Sequence, residues 1–202
     1  MKRIPWIILV VIGVFAYSVS AGLLQERQAA VIKARSSGGA TPTPTPTPTP
    51  CSGSYGNETG SSESVQATAF TYQLRKITIG CAGTTASIEA LITDSENDTR
   101  EVIFVLYNDS GGHPTTLIAN GAAKYLYDNC GAASDTAINE SLAAGTYWAG
   151  ILKESSATGV CTSGSTSSGI SYLYAETDFV PDADLSGVGT VTDYELAIWM
   201  EF

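Results

Sequence analysis

Five consecutive Thr-Pro pairs, residues 41–50, divide this 202-residue chain into two parts that must fold separately. Each proline fixes φ at about −65° and removes a backbone donor, so the run is excluded from helix interiors and central strands. Alternating proline favours polyproline II, in which ten residues reach about 31 Å as a semi-rigid rod. Threonine hydroxyls pointing outward along such a rod suit O-linked glycans. With the Ser/Gly stretch before it, the run makes residues 36–50 a linker that holds a head away from a surface or a neighbour.

The part before the rod reads as a targeting or assembly element over residues 1–35. Lys2 and Arg3 precede an apolar run from Ile4 to about Ala16, and the small residues Val19 and Ala21 before Gly22 fit a secretory cleavage site. The stretch Ile4 to Leu24 is also about long enough to span a bilayer, and "LLQERQAAVIKAR" continues a helix without a breaker. Both readings imply export, with either membrane anchoring or self-assembly through this helix. The layout of hydrophobic helix, amphipathic extension and β-rich head resembles type IV pilin-like subunits, whose helices pack into a filament core. The glycine that a prepilin peptidase requires before the apolar run is absent, and Pro5 stands where that family carries a glutamate.

Charge divides the same way. Residues 1–50 carry a net +4 and residues 51–202 a net −14, giving −10 overall. An acidic body without a basic stripe repels phosphate backbones, so nucleic acid is a poor partner, whereas oxygen-rich acidic surface suits divalent cations. All four cysteines, Cys51, Cys81, Cys130 and Cys161, follow the rod and lack metal-ligand spacing. They point to two disulfides formed in an oxidising compartment. Three pairings are open; Cys51–Cys81 with Cys130–Cys161 is the one in which each bridge staples a Gly/Ser-rich segment.

From about Val65 to Phe179, short β-branched and aromatic runs such as "REVIFVLYND" and "ISYLYAETDF" alternate with Gly, Asn, Asp and Ser clusters. This pattern predicts an all-β antiparallel sandwich, of jelly-roll or immunoglobulin-like type, over residues 51–180. "NDSGGHP" reads as a turn, since it concentrates residues that tolerate positive φ. In "AAGTYWAGIL" the alternation puts Tyr147 and Ala149 on one face and Trp148 and Gly150 on the other. Trp148 is then either a buried sandwich tryptophan or a contact for surface glycans. "VLYNDSGGHPTTLIA" followed by "ESLAAGTYWAGIL" resembles a recurrent secreted bacterial β-sandwich module over roughly residues 65–178. The resemblance implies an extracellular, non-catalytic module and carries no catalytic residues.

Catalytic furniture is sparse. His113 is the only histidine and lies in the predicted turn without a marked serine or aspartate partner. Glu89, Glu101, Glu140, Glu154 and Glu176 supply carboxylates, but scattered along strands as surface glutamates usually are. No phosphate loop, zinc signature or nucleophile elbow occurs, and a non-enzymatic role is the expectation. Asn57, Asn97, Asn108 and Asn139 begin Asn-x-Ser/Thr triplets, which permit glycosylation where the machinery exists.

The closing stretch "DADLSGVGTVTD" carries oxygen ligands at evenly spaced positions. With Asp182 as position 1, Asp184 is 3, Ser186 is 5, Gly187 is 6, the Val188 carbonyl is 7, Thr190 is 9 and Asp193 is 12, the arrangement of a twelve-residue calcium loop. The spacing resembles the loop-helix half of dockerin modules. It departs from them at position 8, Gly189, and in occurring once. The expectation over residues 181–202 is a structural Ca2+ of weak affinity, about 10⁻⁴–10⁻³ M. A short helix "TDYELAIWMEF" should follow, docking Leu196, Trp199 and Met200 on the sandwich. Taken together, the sequence predicts a non-enzymatic cell-surface protein, structural or adhesive, with a secreted carbohydrate-binding module as the alternative.

Overall fold

The computed structural model describes residues 49–61, 68–94, 100–126, 130–165 and 169–202. The expected helix over 1–35 and the linker up to Pro48 lie outside them. The described part is all-β: β1 (Ser54–Gly56), β2 (Thr71–Ile79), β3 (Gly83–Thr84), β4 (Ser87–Asp94), β5 (Arg100–Ser110), β6 (His113–Asn120), β7 (Lys124–Leu126), β8 (Gly131–Asp135), β9 (Ser141–Leu142), β10 (Gly145–Lys153), β11 (Thr158–Val160), β12 (Thr162–Ser165), β13 (Ser171–Ala175), β14 (Thr190–Thr192), β15 (Tyr194–Leu196) and β16 (Ile198–Glu201). No helix occurs among the described residues.

All of the strand pairings are antiparallel. A seven-stranded sheet runs β14-β13-β2-β10-β5-β6, with β7 also on β5. A five-stranded sheet runs β1-β16-β4-β11, with β8 also on β4. Two small ladders, β12 with β15 and β3 with β9, complete the set.

Period-2 alternation explains how these sheets share a core. Ile77 and Ile79 of β2, Phe104 and Leu106 of β5 and Ile151 of β10 form one buried cluster with Ile88 and Ile92 of β4 and Ile198 and Met200 of β16. Both large sheets therefore contribute to a single hydrophobic interior. The alternate residues of the seven-stranded sheet are buried too: Tyr72, Leu74, Val105, Tyr107, Trp148 and Tyr172 form a second cluster with Leu185. That is why β10 is buried without interruption from Tyr147 to Lys153, and why its sequence reads as a continuous apolar run. Ser110 pairs with His113 across Gly111 (φ 63°) and Gly112 (φ 85°). A two-residue loop with both φ positive matches the twist of the flanking strands, and glycine adopts it at no steric cost.

The closing residues differ from expectation. In place of a helix, "TVTDYELAIWME" supplies β14, β15 and β16. Leu196, Ile198 and Met200 alternate into the main cluster, while Leu196, Trp199 and Met200 also lie at helical spacing, so a short apolar run fits both periods. Pairing on both sides decides it, because β16 lies between β1 and β4. The boundary placed at residue 181 therefore dissolves: this segment joins both large sheets, and Pro48–Phe202 is one compact unit.

Disulfides join Cys51 to Cys81 and Cys130 to Cys161. Closing loops of 30 and 31 residues, each contributes about 3–4 kcal/mol in the chain-entropy view.

The interior also holds polar groups. Thr71, Gln73, Lys153 and Thr158 are buried. Lys153 Nζ donates to the Thr158 carbonyl at 2.7 Å, and Gln73 Oε1 accepts from Val160 N at 2.7 Å. Burial pulls the Lys153 ammonium from its ordinary value near 10.5 down to about 8. Between those values the unfolded chain binds more protons than the folded one, so stability should rise with pH across that window. Above about 10 the opposite sign sets in, because burial raises the Tyr107 and Tyr172 hydroxyls while unfolded tyrosines ionise. Thermal melts should therefore show a rise above pH 8 that Lys153→Met removes. A wild-type profile flat from pH 8 to the tyrosine range would contradict the burial of this amine.

Candidate functional site

Residues 176–189 connect β13 to β14 by crossing the second buried face of the seven-stranded sheet. Leu185 is fully buried in that cluster, with Phe179 and Val188 packed beside it. Along the β6 edge, Leu117 N donates to the Ala183 carbonyl at 2.9 Å and Leu185 N to the Thr115 carbonyl at 3.1 Å. Three tyrosines projecting from β2, β5 and β13 grip the segment's backbone. Asp182 N donates to Tyr72 Oη at 2.6 Å, Tyr107 Oη donates to the Asp182 carbonyl at 2.8 Å, and Tyr172 Oη donates to the Val188 carbonyl at 2.7 Å. Burial raises the pKa of all three hydroxyls, which keeps them protonated. Gly189 now has its reason: at φ 72° it lies against the Tyr172 ring, where a Cβ would strike the phenol.

The six residues predicted as calcium ligands, Asp182, Asp184, Ser186, Val188, Thr190 and Asp193, run from this segment into β14 and the residue after it. Asp184 and Ser186 come together, Asp184 Oδ1 accepting from both the backbone N (2.7 Å) and the hydroxyl of Ser186; these bonds hold its carboxyl below the usual range. The Val188 carbonyl faces Tyr172. Thr190 opens β14 opposite Leu173, and Asp193 Oδ1 accepts from Gly169 N at 2.8 Å. Among the described residues, no three His, Cys, Asp or Glu side chains converge at metal-binding distance.

A pairing that ligand spacing did not reveal lies at the start of the segment. Glu176, held by its backbone N on the Phe70 carbonyl at 2.6 Å, places its carboxyl beside that of Asp182. Glu176 Oε1 is enclosed, while the same carboxyl faces the Tyr174 hydroxyl and accepts from Thr177 N at 3.2 Å through Oε2. Burial, and then Asp182, raise the Glu176 pKa. Two carboxylates in contact are satisfied by a shared proton or by a cation. Glu176 lies six residues before Asp182, outside the twelve-residue frame that Asp182 opens, and only the fold brings the two together.

The remaining candidates are placed as follows. His113 is exposed at the β5–β6 hairpin, where its backbone pairs with Ser110, and among the described residues no side-chain hydrogen bond or ion pair links its imidazole to a serine or an aspartate. Glu154 Oε2 accepts from Glu101 N at 3.1 Å while Glu154 N donates to the Glu101 carbonyl at 3.0 Å, and Glu89 accepts from Ser87 Oγ at 3.0 Å. Trp148, considered as a glycan contact, is 0 % exposed. Its Nε1 donates to Asp109 Oδ1 at 2.7 Å, and its ring meets Tyr172 edge-on at 6.0 Å. No face of the indole is open for a sugar to stack on, so this assignment is corrected to a core residue. No protein-family model matches the chain, and no curated protein matches it.

Proposed function

We propose that this is a non-enzymatic, exported surface protein, structural or adhesive, whose β-sandwich head of jelly-roll or immunoglobulin-like type is displayed on the Thr-Pro rod, with the N-terminal segment anchoring it or packing into a pilus-like filament. The observation that carries this reading is the junction between rod and head. Cys51 follows the last proline directly, is bridged to Cys81 and donates its backbone N to the Ala82 carbonyl at 3.0 Å. The covalently fixed Cys51 is the residue next in sequence after the Thr-Pro run, which suits a module whose task is to be held in position. Mass spectrometry of the native N-terminus, with electron microscopy of the cell surface, tests it: an uncleaved segment in membranes or filaments is expected. A soluble protein cleaved after Ala21 that binds glycans would favour the carbohydrate-binding alternative.

Calcium belongs to the same proposal, as a structural ion on the acidic side of the closing segment. The ligands we propose are those of the twelve-residue frame, Asp182, Asp184, Ser186, the Val188 carbonyl, Thr190 and Asp193, and the Glu176 carboxyl beside Asp182 adds negative charge where the frame begins. Ca2+ supplies charge neutralisation there. At an affinity of about 10⁻⁴–10⁻³ M, 10 mM Ca2+ should stabilise the head by about 1.4–2.7 kcal/mol, read as a rise in Tm that Asp182→Asn abolishes. An unchanged Tm up to that concentration would remove calcium from the account.

A further inference from the structure

We infer that the Cys130–Cys161 disulfide is a redox-sensitive latch that holds the edge strand β8 on β4, and that reducing it releases β8 from a head that otherwise stays folded. Ile92 of β4 pairs with Gly131 of β8 and also with Val160 of β11. A strand residue has one neighbour on each side, so β8 and β11 flank β4, and the bridge between the residues next to them passes over β4. Its two ends are held unequally. Cys161 is fully buried and fixed in the sheet, its N donating to the Leu91 carbonyl at 2.8 Å and its carbonyl accepting from Ala197 N at 2.8 Å. Cys130 is half-buried and has φ 56°, a left-handed conformation that strains any residue with a Cβ.

Beyond its five-pair ladder with β4 and the hydrogen bond from Lys124 Nζ to the Ser134 carbonyl, few side chains fasten β8. Its sequence is Gly-Ala-Ala-Ser-Asp: Ala132 and Ser134 are exposed, and only Ala133 packs against the main cluster. The buried Asp135 carboxylate at its end accepts from Ala137 N at 2.8 Å and lies 3.3 Å from Lys124 Nζ, but its Oδ2 has no hydrogen-bond partner. Strained or accessible disulfides are the reducible ones. A dithiol thiolate attacks the accessible Cys130 Sγ and Cys161 leaves as thiolate; the second thiol then closes the reductant into its own disulfide. Two electrons and two protons pass to the protein, leaving Cys130 and Cys161 as thiols. Cys130 can then relax its backbone, and β8 loses the tether across β4. Cys51–Cys81 contrasts with it, since neither of its residues has positive φ.

Graded treatment of the folded full-length chain with dithiothreitol, followed by alkylation and hydrogen-exchange mass spectrometry, tests this. Leu91 N bonds towards β16, so alternation directs the amides of Ile88, Ala90 and Ile92 to β8. Cys130 and Cys161 should be alkylated first, and peptides covering 88–92 and 131–135 should lose protection at least ten-fold while β2, β5 and β10 keep theirs. Cys130→Ser/Cys161→Ser should show the same pattern without reductant. Simultaneous reduction of both disulfides with loss of protection throughout would overturn the inference. So would full protection of β8 in the reduced protein.

Discussion

Trp148→Ala should destabilise the head by about 3–5 kcal/mol, the range for removing a large buried aromatic. The side chain is fully enclosed in the cluster formed with Tyr72, Tyr107 and Tyr172, and Lys76 Nζ lies 5.5 Å from the indole centroid. Alanine removes the packing and also leaves Asp109 Oδ1, 2.7 Å from Nε1, without its donor. Trp148→Phe separates the two, since it retains most of the ring volume and loses only the hydrogen bond; it should cost about 1–3 kcal/mol. Urea unfolding with matched m-values reads both. Any glycan affinity lost in Trp148→Ala should fall in step with the folded fraction. A Trp148→Ala protein as stable as the wild type would show that the indole is not enclosed.

Leu185→Ala should cost about 2–5 kcal/mol. Leu185 stands in the middle of what reads as an acidic, glycine-containing loop, yet it is 0 % exposed. Truncating it leaves a cavity above the tyrosine face and loosens Asp182 and Val188, the two residues the tyrosines hold. Val180→Ala in the same segment is the control: Val180 is 62 % exposed, and its loss should change stability by less than about 0.5 kcal/mol. Equal effects at the two positions would mean that the segment is draped over the sheet without being inserted into it.

These two residues also show where the sequence could be read and where it could not. The strands around "REVIFVLYND" and "GTYWAGILK" were legible because alternation and β-branched content act locally, and the Gly-Gly hairpin was legible from turn chemistry. Burial of both faces of the seven-stranded sheet was not. It depends on the segment from Glu176 to Thr190 returning over that sheet, a contact between residues far apart in the chain. Residues 194–201 misled for a different reason: over so short a stretch Leu196, Trp199 and Met200 satisfy a helical period as well as a strand period. The calcium spacing identified a segment with a special conformation, but the hydroxyls of Tyr72, Tyr107 and Tyr172 determine which way its carbonyls point. Those tyrosines carry no local mark of that task. Glu176 lay outside the twelve-residue frame, so its approach to Asp182 was visible only in three dimensions.

The position of β16 bears on how the head is made. Its residues lie between β1 and β4, and Ser54 meets Glu201 across 147 positions of chain. On a ribosome or in an export channel, which deliver the chain from its amino end, the partners of β16 emerge first and must wait with open ladder positions. Such long-range pairing makes assembly slow. A polypeptide stalled before Ile198 would present two adjacent vacant edges, so quality control acting on late synthesis has an unusually large target here.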